Sequence, residues 1–133
     1  MSNEILSLLK ESGAFLEGHF LLTSGRHSDK YIEKFRLMES PNHLDKVCQK
    51  MSSQFSKDSV DIVLGAAIGG ILLSSGVAKY LGKKGIFTER VQEKMELRRG
   101  FRIQEGSNVL IVEDIVSTGG SIFELIEVVK QCE

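Results

Sequence analysis

The chain has 133 residues, of which 41% are hydrophobic and 26% are charged, and its formal net charge is −1 at pH 7. This length suits one domain around one hydrophobic core, while the balanced charge and the absence of tryptophan argue against a surface that binds nucleic acid. The chain has only two cysteines, which predicts a protein without disulfides. Its N-terminus has no basic and apolar leader, and no apolar run reaches about 20 residues, so we expect a cytoplasmic protein without membrane spans.

The first third of the sequence predicts a short helix followed by small strands. Ile5, Leu8 and Leu9 recur at helical spacing, and Gly13 is suited to end the helix. Short apolar pieces between residues 15 and 32 are separated by glycines and charged residues, a pattern that is typical of small strands and turns.

A second helix and a buried strand are predicted next. Pro41 is a favourable helix start, and the apolar residues behind it form a one-sided stripe of Leu44, Val47, Cys48, Met51 and Phe55. Cys48 lies in this stripe, so we interpret it as a small core residue and not as a reactive thiol. Residues 60–64 (VDIVL) predict a strand, and the glycine-rich loop 65–70 leads into a helix that ends near Leu81.

The last third completes an alternation of strands and helices. Residues 85–87 predict a short strand, residues 88–102 a charged loop without periodicity, residues 109–112 an apolar strand, and residues 114–120 a turn before a final helix. This order predicts an α/β fold with a mainly parallel sheet flanked by helices, in which ligands bind at the carboxyl ends of the strands.

The richest chemistry follows the strand at 109–112. Glu113 and Asp114 end this strand and can accept hydrogen bonds from ribose hydroxyls, while the turn behind them can offer backbone N–H groups to a phosphate. Hydroxyls and glycines fill this turn: Ser117, Thr118, Gly119, Gly120 and Ser121. The plainer alternative is an ordinary helix cap, but two acids followed by S-T-G-G-S are rare among caps. No GxGxxG or GxxxxGK[ST] motif is present.

Residues 109–121 (VLIVEDIVSTGGS) resemble the phosphoribosyl-pyrophosphate motif of the type I phosphoribosyltransferases. Residues 18–32 (GHFLLTSGRHSDKYI) resemble the N-terminal hood of the orotate phosphoribosyltransferases, and residues 89–101 (ERVQEKMELRRGF) resemble their mobile catalytic loop. Residues 65–70 are similar to the pyrophosphate loop of the same family. The resemblance therefore runs from about residue 13 to the end of the chain.

The resemblance implies a type I phosphoribosyltransferase fold in a single domain, with a small hood at about residues 1–40 and a core at about 41–133. In this family the sheet continues beyond the last helix found here, and one added strand supplies an arginine for the orotate carboxylate. The 133 residues contain no counterpart of that segment, so we expect the core to be incomplete at its C-terminal side and the isolated chain to lack that contact.

The resemblance also implies roles for individual residues. It implies that the acidic pair binds the ribose hydroxyls and that the turn binds the 5-phosphate. Ser117 of this turn would also contact orotate. Arg90 and Lys94 match the cations that close over pyrophosphate and, with Asp114, form the candidate catalytic set. The other substrate-binding candidates are Thr23, Tyr31, Ile32, Gly69, Gly70, Glu113, Ile115, Val116, Thr118, Gly119, Gly120 and Ser121. A cis peptide that does not involve proline is implied near Ala67 and Ile68.

Three positions depart from the family pattern. Many members carry lysine where this chain has Thr23 and Gly69, and histidine where it has Glu96. Pyrophosphate would therefore depend more on Arg90, on Lys94 and on backbone N–H groups. Without the resemblance, these two cations would be interpreted as part of a solvated loop.

The implied reaction transfers ribose-5-phosphate from phosphoribosyl pyrophosphate to orotate, giving orotidine 5′-monophosphate and pyrophosphate in pyrimidine biosynthesis. The resemblance further implies Mg²⁺ without direct protein ligands, and a homodimer that shares the 88–102 loop across its interface. Two alternatives stay open: a phosphoribosyltransferase for another base, against which the hood argues, and a non-catalytic sensor of phosphoribosyl pyrophosphate, which the acidic pair and the charged loop disfavour.

Overall fold

The computed structural model describes residues 3–132, and its contacts divide the chain into two units, Met1–Val47 and Cys48–Glu133. In the first unit, helix α1 (Asn3–Glu11) precedes strands β1 (Phe15–Leu21) and β2 (His27–Ile32), which pair in an antiparallel hairpin. The predicted opening helix and small strands are confirmed. Gly13 adopts a φ of 78° just after α1, as expected of a residue that ends a helix.

Two further helices follow the hairpin. The five-residue helix α2 (Lys34–Met38) was not anticipated, and the Glu33 side chain accepts a hydrogen bond from the Phe35 N–H at its start. Helix α3 (Pro41–Ser52) begins at the predicted proline and crosses the boundary between the units. Cys48 is fully buried, which confirms its place in the core.

The second unit is an α/β layer around a four-stranded sheet. A 3-10 turn (Lys57–Ser59) leads to β3 (Ile62–Ala66), and helix α4 (Gly69–Leu81) connects β3 to β4 (Lys84–Val91). Strands β5 (Lys94–Leu97) and β6 (Val109–Ile111) and helix α5 (Gly120–Gln131) complete the unit. The strand order is β5-β4-β3-β6, in which β3 pairs in parallel with β4 and β6, and β4 pairs with β5 in antiparallel.

Strand β3 is the centre of this sheet. All five of its residues are buried, as expected for a parallel strand covered on both faces. It begins two residues later than predicted and includes Gly65 and Ala66. A Cβ atom on Gly65 would lie 2.8 Å from the carbonyl carbon of Gly70, so only glycine allows the end of β3 to pack this closely on the start of α4.

The prediction of a loop at residues 88–102 is wrong for its first ten residues. Residues 88–97 belong to the β-hairpin that β4 and β5 form. Val91 pairs with Lys94, and the two turn residues Gln92 and Glu93 have φ values of 50° and 67°, the backbone of a type I′ turn. Met95 of β5 is buried in a cluster that includes Leu125 and Val128 of α5. Burial of Met95 against α5, with the partly buried Leu97 packed on the same cluster, favours a strand although most of the surrounding residues are charged.

No helix within residues 3–132 is long and apolar enough to cross a membrane.

Candidate active site

The acidic pair lies at the carboxyl end of β6, as the sequence predicted. Glu113 and Asp114 are half-buried and follow the buried Val112. The Asp114 N–H donates to Glu113 Oε1 at 3.0 Å, and the Ile115 N–H donates to Asp114 Oδ1 at 3.0 Å. These bonds orient both carboxylates at the edge of the sheet where parallel strands present ligand sites.

The turn behind the acidic pair surrounds a pocket of about 200 Å³. Gly119, with a φ of 86°, stands immediately before α5, and the N–H of the first helical residue, Gly120, donates to Thr118 Oγ1 at 3.4 Å. The first N–H groups of a helix have no acceptor within the helix, so the pocket combines these donors with the positive end of the helix dipole. Its lining consists of Ile115, Val116, Ser117, Thr118, Gly119, Gly120, Ser121, Ile122 and Glu124. The pocket therefore suits a phosphate monoester.

The predicted pyrophosphate loop is adjacent to the acidic pair. The peptide bond between Ala67 and Ile68 is cis, which confirms the expectation from the resemblance, and the Ala67 N–H donates to the Thr88 carbonyl at 2.8 Å. A Cβ atom on Gly69 would lie 2.8 Å from Asp114 Cγ and closer still to Asp114 Oδ2. Gly69 and Asp114 are thus in direct contact, and a larger residue such as lysine at position 69 would displace the carboxylate.

Arg90 is bound to a carboxylate that the sequence did not suggest. Its Nη1 and Nη2 donate to the two carboxylate oxygens of Glu124, each at 3.1 Å, and Nη1 also donates to the Glu93 carbonyl at 2.8 Å. The hydrogen bond from Arg90 lowers the pKa of the Glu124 carboxyl, and the same bond raises the pKa of Arg90. The tip of the β4–β5 hairpin is therefore attached to the first turns of α5.

Lys94 is the first residue of β5, directly after the hairpin turn. It lines a second cavity, of about 270 Å³, together with Phe123, Glu124 and Glu127 of α5. Glu124 consequently contributes to the lining of both cavities, the one beside Lys94 and the one in the turn.

A second ion pair joins β4 to the residues that follow β5. Arg99 donates from Nε and Nη2 to the Glu89 carboxylate, both at 2.8 Å, and this hydrogen bond lowers the pKa of Glu89. Arg99 itself has a positive φ of 62°. Position 96, where many family members carry histidine, is a half-buried glutamate on β5 opposite Glu89.

The candidates from the hood lie in the first unit. Tyr31 and Ile32 are at the end of β2, and each is 41% exposed; Tyr31 packs against Phe20 with ring centroids 5.6 Å apart. Thr23 is in the turn between β1 and β2, where the Leu22 N–H donates to the Arg26 carbonyl at 2.8 Å. Since Ile32 pairs with Phe15 and His27 with Leu21, the structure places Thr23 and the Tyr31–Ile32 pair at opposite ends of the hairpin.

The carboxylates at this site could share a cation with a bound substrate. Among residues 3–132, no three side chains of histidine, cysteine, aspartate or glutamate form a group that could hold a metal ion. Glu113 and Asp114 are the carboxylates that directly precede the phosphate turn, and Mg²⁺ commonly combines one or two carboxylates with substrate phosphate oxygens.

Comparison with known proteins places these features in a family. A model of the phosphoribosyl transferase domain matches residues 37–133. The chain is 43% identical over 129 residues to the orotate phosphoribosyltransferase of Pelotomaculum thermopropionicum, covering 97% of this chain and 68% of that protein. It is 47% identical over 127 residues to the enzyme of the same name from Desulforamulus reducens, covering 96% of this chain and 66% of that protein.

Solved structures give the same result for the fold. The orotate phosphoribosyltransferase of Aeropyrum pernix superposes with a TM-score of 0.73 at 28% identity, covering 96% of this chain and 73% of that one. The adenine phosphoribosyltransferase of Saccharomyces cerevisiae reaches a TM-score of 0.72 at 22% identity, covering 96% of this chain and 82% of that one, which is a likeness of fold alone. The chain spans about two thirds of the length of the two sequence relatives.

Proposed function

Because this chain belongs to the phosphoribosyl transferase family and, within it, to the orotate phosphoribosyltransferases, we propose that it transfers ribose-5-phosphate from phosphoribosyl pyrophosphate to orotate. The products are orotidine 5′-monophosphate and pyrophosphate, and the step belongs to pyrimidine biosynthesis.

One observation carries the proposal: the acidic pair, the phosphate pocket and the pyrophosphate loop converge at one edge of the sheet. Asp114 contacts Gly69 on one side, and on the other it leads directly into the turn that surrounds the pocket. Carboxylates beside an anion pocket suit a ligand that carries hydroxyls next to a phosphate. A phosphorylated ribose has this arrangement.

The proposed chemistry requires no nucleophilic side chain. A ring nitrogen of orotate forms the bond to C1 of the ribose and gives up its proton to solvent, while the bond from C1 to the pyrophosphate oxygen breaks and its electrons leave with that oxygen. The protein contributes position and charge. Glu113 and Asp114 hold the ribose hydroxyls, the turn before α5 holds the 5-phosphate, and Arg90 and Lys94 stabilise the departing pyrophosphate.

Mg²⁺ is part of the proposal. When bound, it would neutralise charge on the pyrophosphate. The residues that would face it are Glu113 and Asp114, through the ribose hydroxyls that they orient.

The proposal extends to assembly and location. We propose a cytoplasmic homodimer in which the segment 88–102 serves the neighbouring subunit. This segment comprises the tip of the β4–β5 hairpin and the residues that follow β5. Tyr31 and Ile32 would then contact the base, while Thr23, at the opposite end of the same hairpin, stays a substrate-binding candidate.

The test is calorimetric titration of the full-length protein with phosphoribosyl pyrophosphate and Mg²⁺, combined with a spectrophotometric assay of orotate consumption. We expect binding, and consumption of orotate in preference to uracil or adenine. Binding accompanied by preferential consumption of another base would overturn the assignment of orotate, and the absence of binding would overturn the whole proposal.

A further inference from the structure

Arg90 and Glu124 form an ion pair that a polyanionic ligand can replace. The guanidinium binds both oxygens of the carboxylate, a two-point geometry that it can also adopt toward phosphate oxygens. The side chains of Arg90 and Glu124 are 47% and 42% exposed, so burial does not hold the pair closed. Exposed ion pairs generally contribute little to stability, so a ligand that carries several phosphate oxygens can displace the carboxylate.

The position of Glu124 makes this exchange relevant to the substrate. Its side chain lines the phosphate pocket together with Thr118 and Ser121, and it also lines the cavity beside Lys94. A carboxylate here lies between the site of the 5-phosphate and the cations of the hairpin.

We propose that Glu124 is a positioning residue that competes with the substrate for Arg90. In the free protein it orients and neutralises the arginine, and when phosphoribosyl pyrophosphate binds in the subunit that the hairpin serves, the guanidinium moves from the carboxylate of Glu124 to the phosphate oxygens of that ligand. This inference rests on the proposed function, because it takes phosphoribosyl pyrophosphate as the ligand.

The competition has a measurable consequence for affinity. Part of the attraction between Arg90 and the ligand is used to separate Arg90 from Glu124, so removing the carboxylate should strengthen ligand binding. We expect Glu124→Gln to lower the Kd for phosphoribosyl pyrophosphate about two- to fivefold, which corresponds to the usual strength of an exposed ion pair. Glu127→Gln is the matched control, because it makes the same change of charge about one turn further along α5, also beside the Lys94 cavity, but at a carboxylate that pairs with Lys130 and not with Arg90.

A double-mutant cycle separates competition from simple repulsion between Glu124 and the ligand. If Glu124 competes for Arg90, the gain from Glu124→Gln is larger when Arg90 is present than in an Arg90→Gln background. If the carboxylate only repels the ligand, the gain is larger without Arg90, because the arginine screens that charge. The sign of the coupling therefore decides between the two explanations.

The experiment is calorimetric titration of the unmutated chain, the three single variants and the double variant Arg90→Gln/Glu124→Gln with phosphoribosyl pyrophosphate and Mg²⁺. Glu124→Ala is a second variant and should shift the Kd in the same direction as Glu124→Gln. Tighter binding with the larger gain in the presence of Arg90 supports the inference. A Kd for Glu124→Gln equal to or above that of Glu127→Gln, or a larger gain without Arg90, overturns it.

The two proposals fail in different ways. If the unmutated chain binds the ligand and consumes orotate but the coupling has the wrong sign, only the role of Glu124 is lost. If the unmutated chain does not bind phosphoribosyl pyrophosphate, both proposals are overturned.

Discussion

At the scale of single residues, Asp114 has the most specific position in the site. Its carboxylate accepts the Ile115 N–H and contacts Gly69, so its orientation is fixed from two sides. An asparagine in the same place keeps the oxygen that accepts this backbone hydrogen bond but loses the negative charge.

We expect Asp114→Asn to lower kcat/KM about 10- to 150-fold, since hydrogen bonds to a charged group contribute roughly 1.5–3 kcal/mol. Steady-state kinetics of orotate consumption would measure this change. Asp58→Asn, on the exposed 3-10 turn, is the control and should leave kcat/KM unaltered. Unchanged kinetics of a folded Asp114→Asn variant would contradict the role assigned to Asp114.

Gly69 has no side chain of its own but determines where the neighbouring carboxylate can lie. Adding a single methyl group in Gly69→Ala should displace Asp114 and weaken binding of phosphoribosyl pyrophosphate about tenfold or more, as misplacement of a binding group by about 1 Å commonly does. Calorimetric titration of Gly69→Ala, of Asp114→Asn and of the double variant would test the mechanism. Because both changes act through one carboxylate, their effects on binding should not add; full additivity would show that Gly69 acts independently of Asp114.

Sequence reasoning found the acidic pair and the phosphate turn because they are contiguous in the chain and follow an apolar strand. It did not find the Gly69–Asp114 contact or the Arg90–Glu124 pair. These pairs join residues from different elements, and only the folded chain determines which of them meet. A glutamate early in a helix is ordinarily explained by the helix dipole, so the sequence around Glu124 gave no sign of its partner.

At the scale of elements, the β4–β5 hairpin is the main difference between expectation and structure. Two-residue hairpin turns usually have the sequence Asn-Gly or Asp-Gly, whereas this turn is Gln92-Glu93. The helices and the strands β3 and β6 were predictable because apolar residues dominate their patterns. The hairpin was not, because its second strand, β5, contains only one buried residue, Met95, among charges.

The turn residues are energetically unfavourable, since side chains other than glycine rarely adopt positive φ. We expect Glu93→Gly to raise the free energy of unfolding by about 0.5–1 kcal/mol, the relief of left-handed strain less the entropy that glycine loses on folding. The Glu93 carbonyl that accepts from Arg90 is retained in this variant.

Urea denaturation would measure the effect of Glu93→Gly. The matched control is Glu96→Gly, the same chemical change within β5, which should destabilise the protein by about 0.5–1 kcal/mol. Destabilisation by Glu93→Gly would argue against a type I′ turn at this position.

At the scale of the whole molecule, the proposed homodimer makes a prediction about which subunit receives Lys94. If the hairpin serves the neighbouring subunit, mixing inactive Lys94→Ala chains with inactive Asp114→Asn chains creates heterodimers in which one site gathers both lesions and the other is intact. We expect recovery of up to about half the activity of the unmutated dimer per heterodimer, by counting sites.

Subunit exchange in this mixture can be verified with differently tagged chains, and activity measured after exchange. Mixtures of each variant with itself are the controls and should stay inactive. Complete exchange without recovery would indicate that each chain completes its own site.

The strand order also has a consequence for how the protein folds. The central strand pairs on one side with β4, which follows after one helix, and on the other with β6, so that Ile62 meets Lys84 on one side and the much more distant Val109 on the other. Closing the longer loop costs more chain entropy, so we expect the segment from β3 to β4 to form early and β6 to join late. Kinetic φ-values compare the effect of a substitution on the folding rate with its effect on stability. Values near zero for substitutions in β6, beside higher values in β3 and α4, would show this order, and high values in β6 would refute it. Glu113, Asp114 and the phosphate turn follow β6 directly, so a folding intermediate on this pathway would already contain a hydrophobic core but could not yet recognise a phosphorylated sugar.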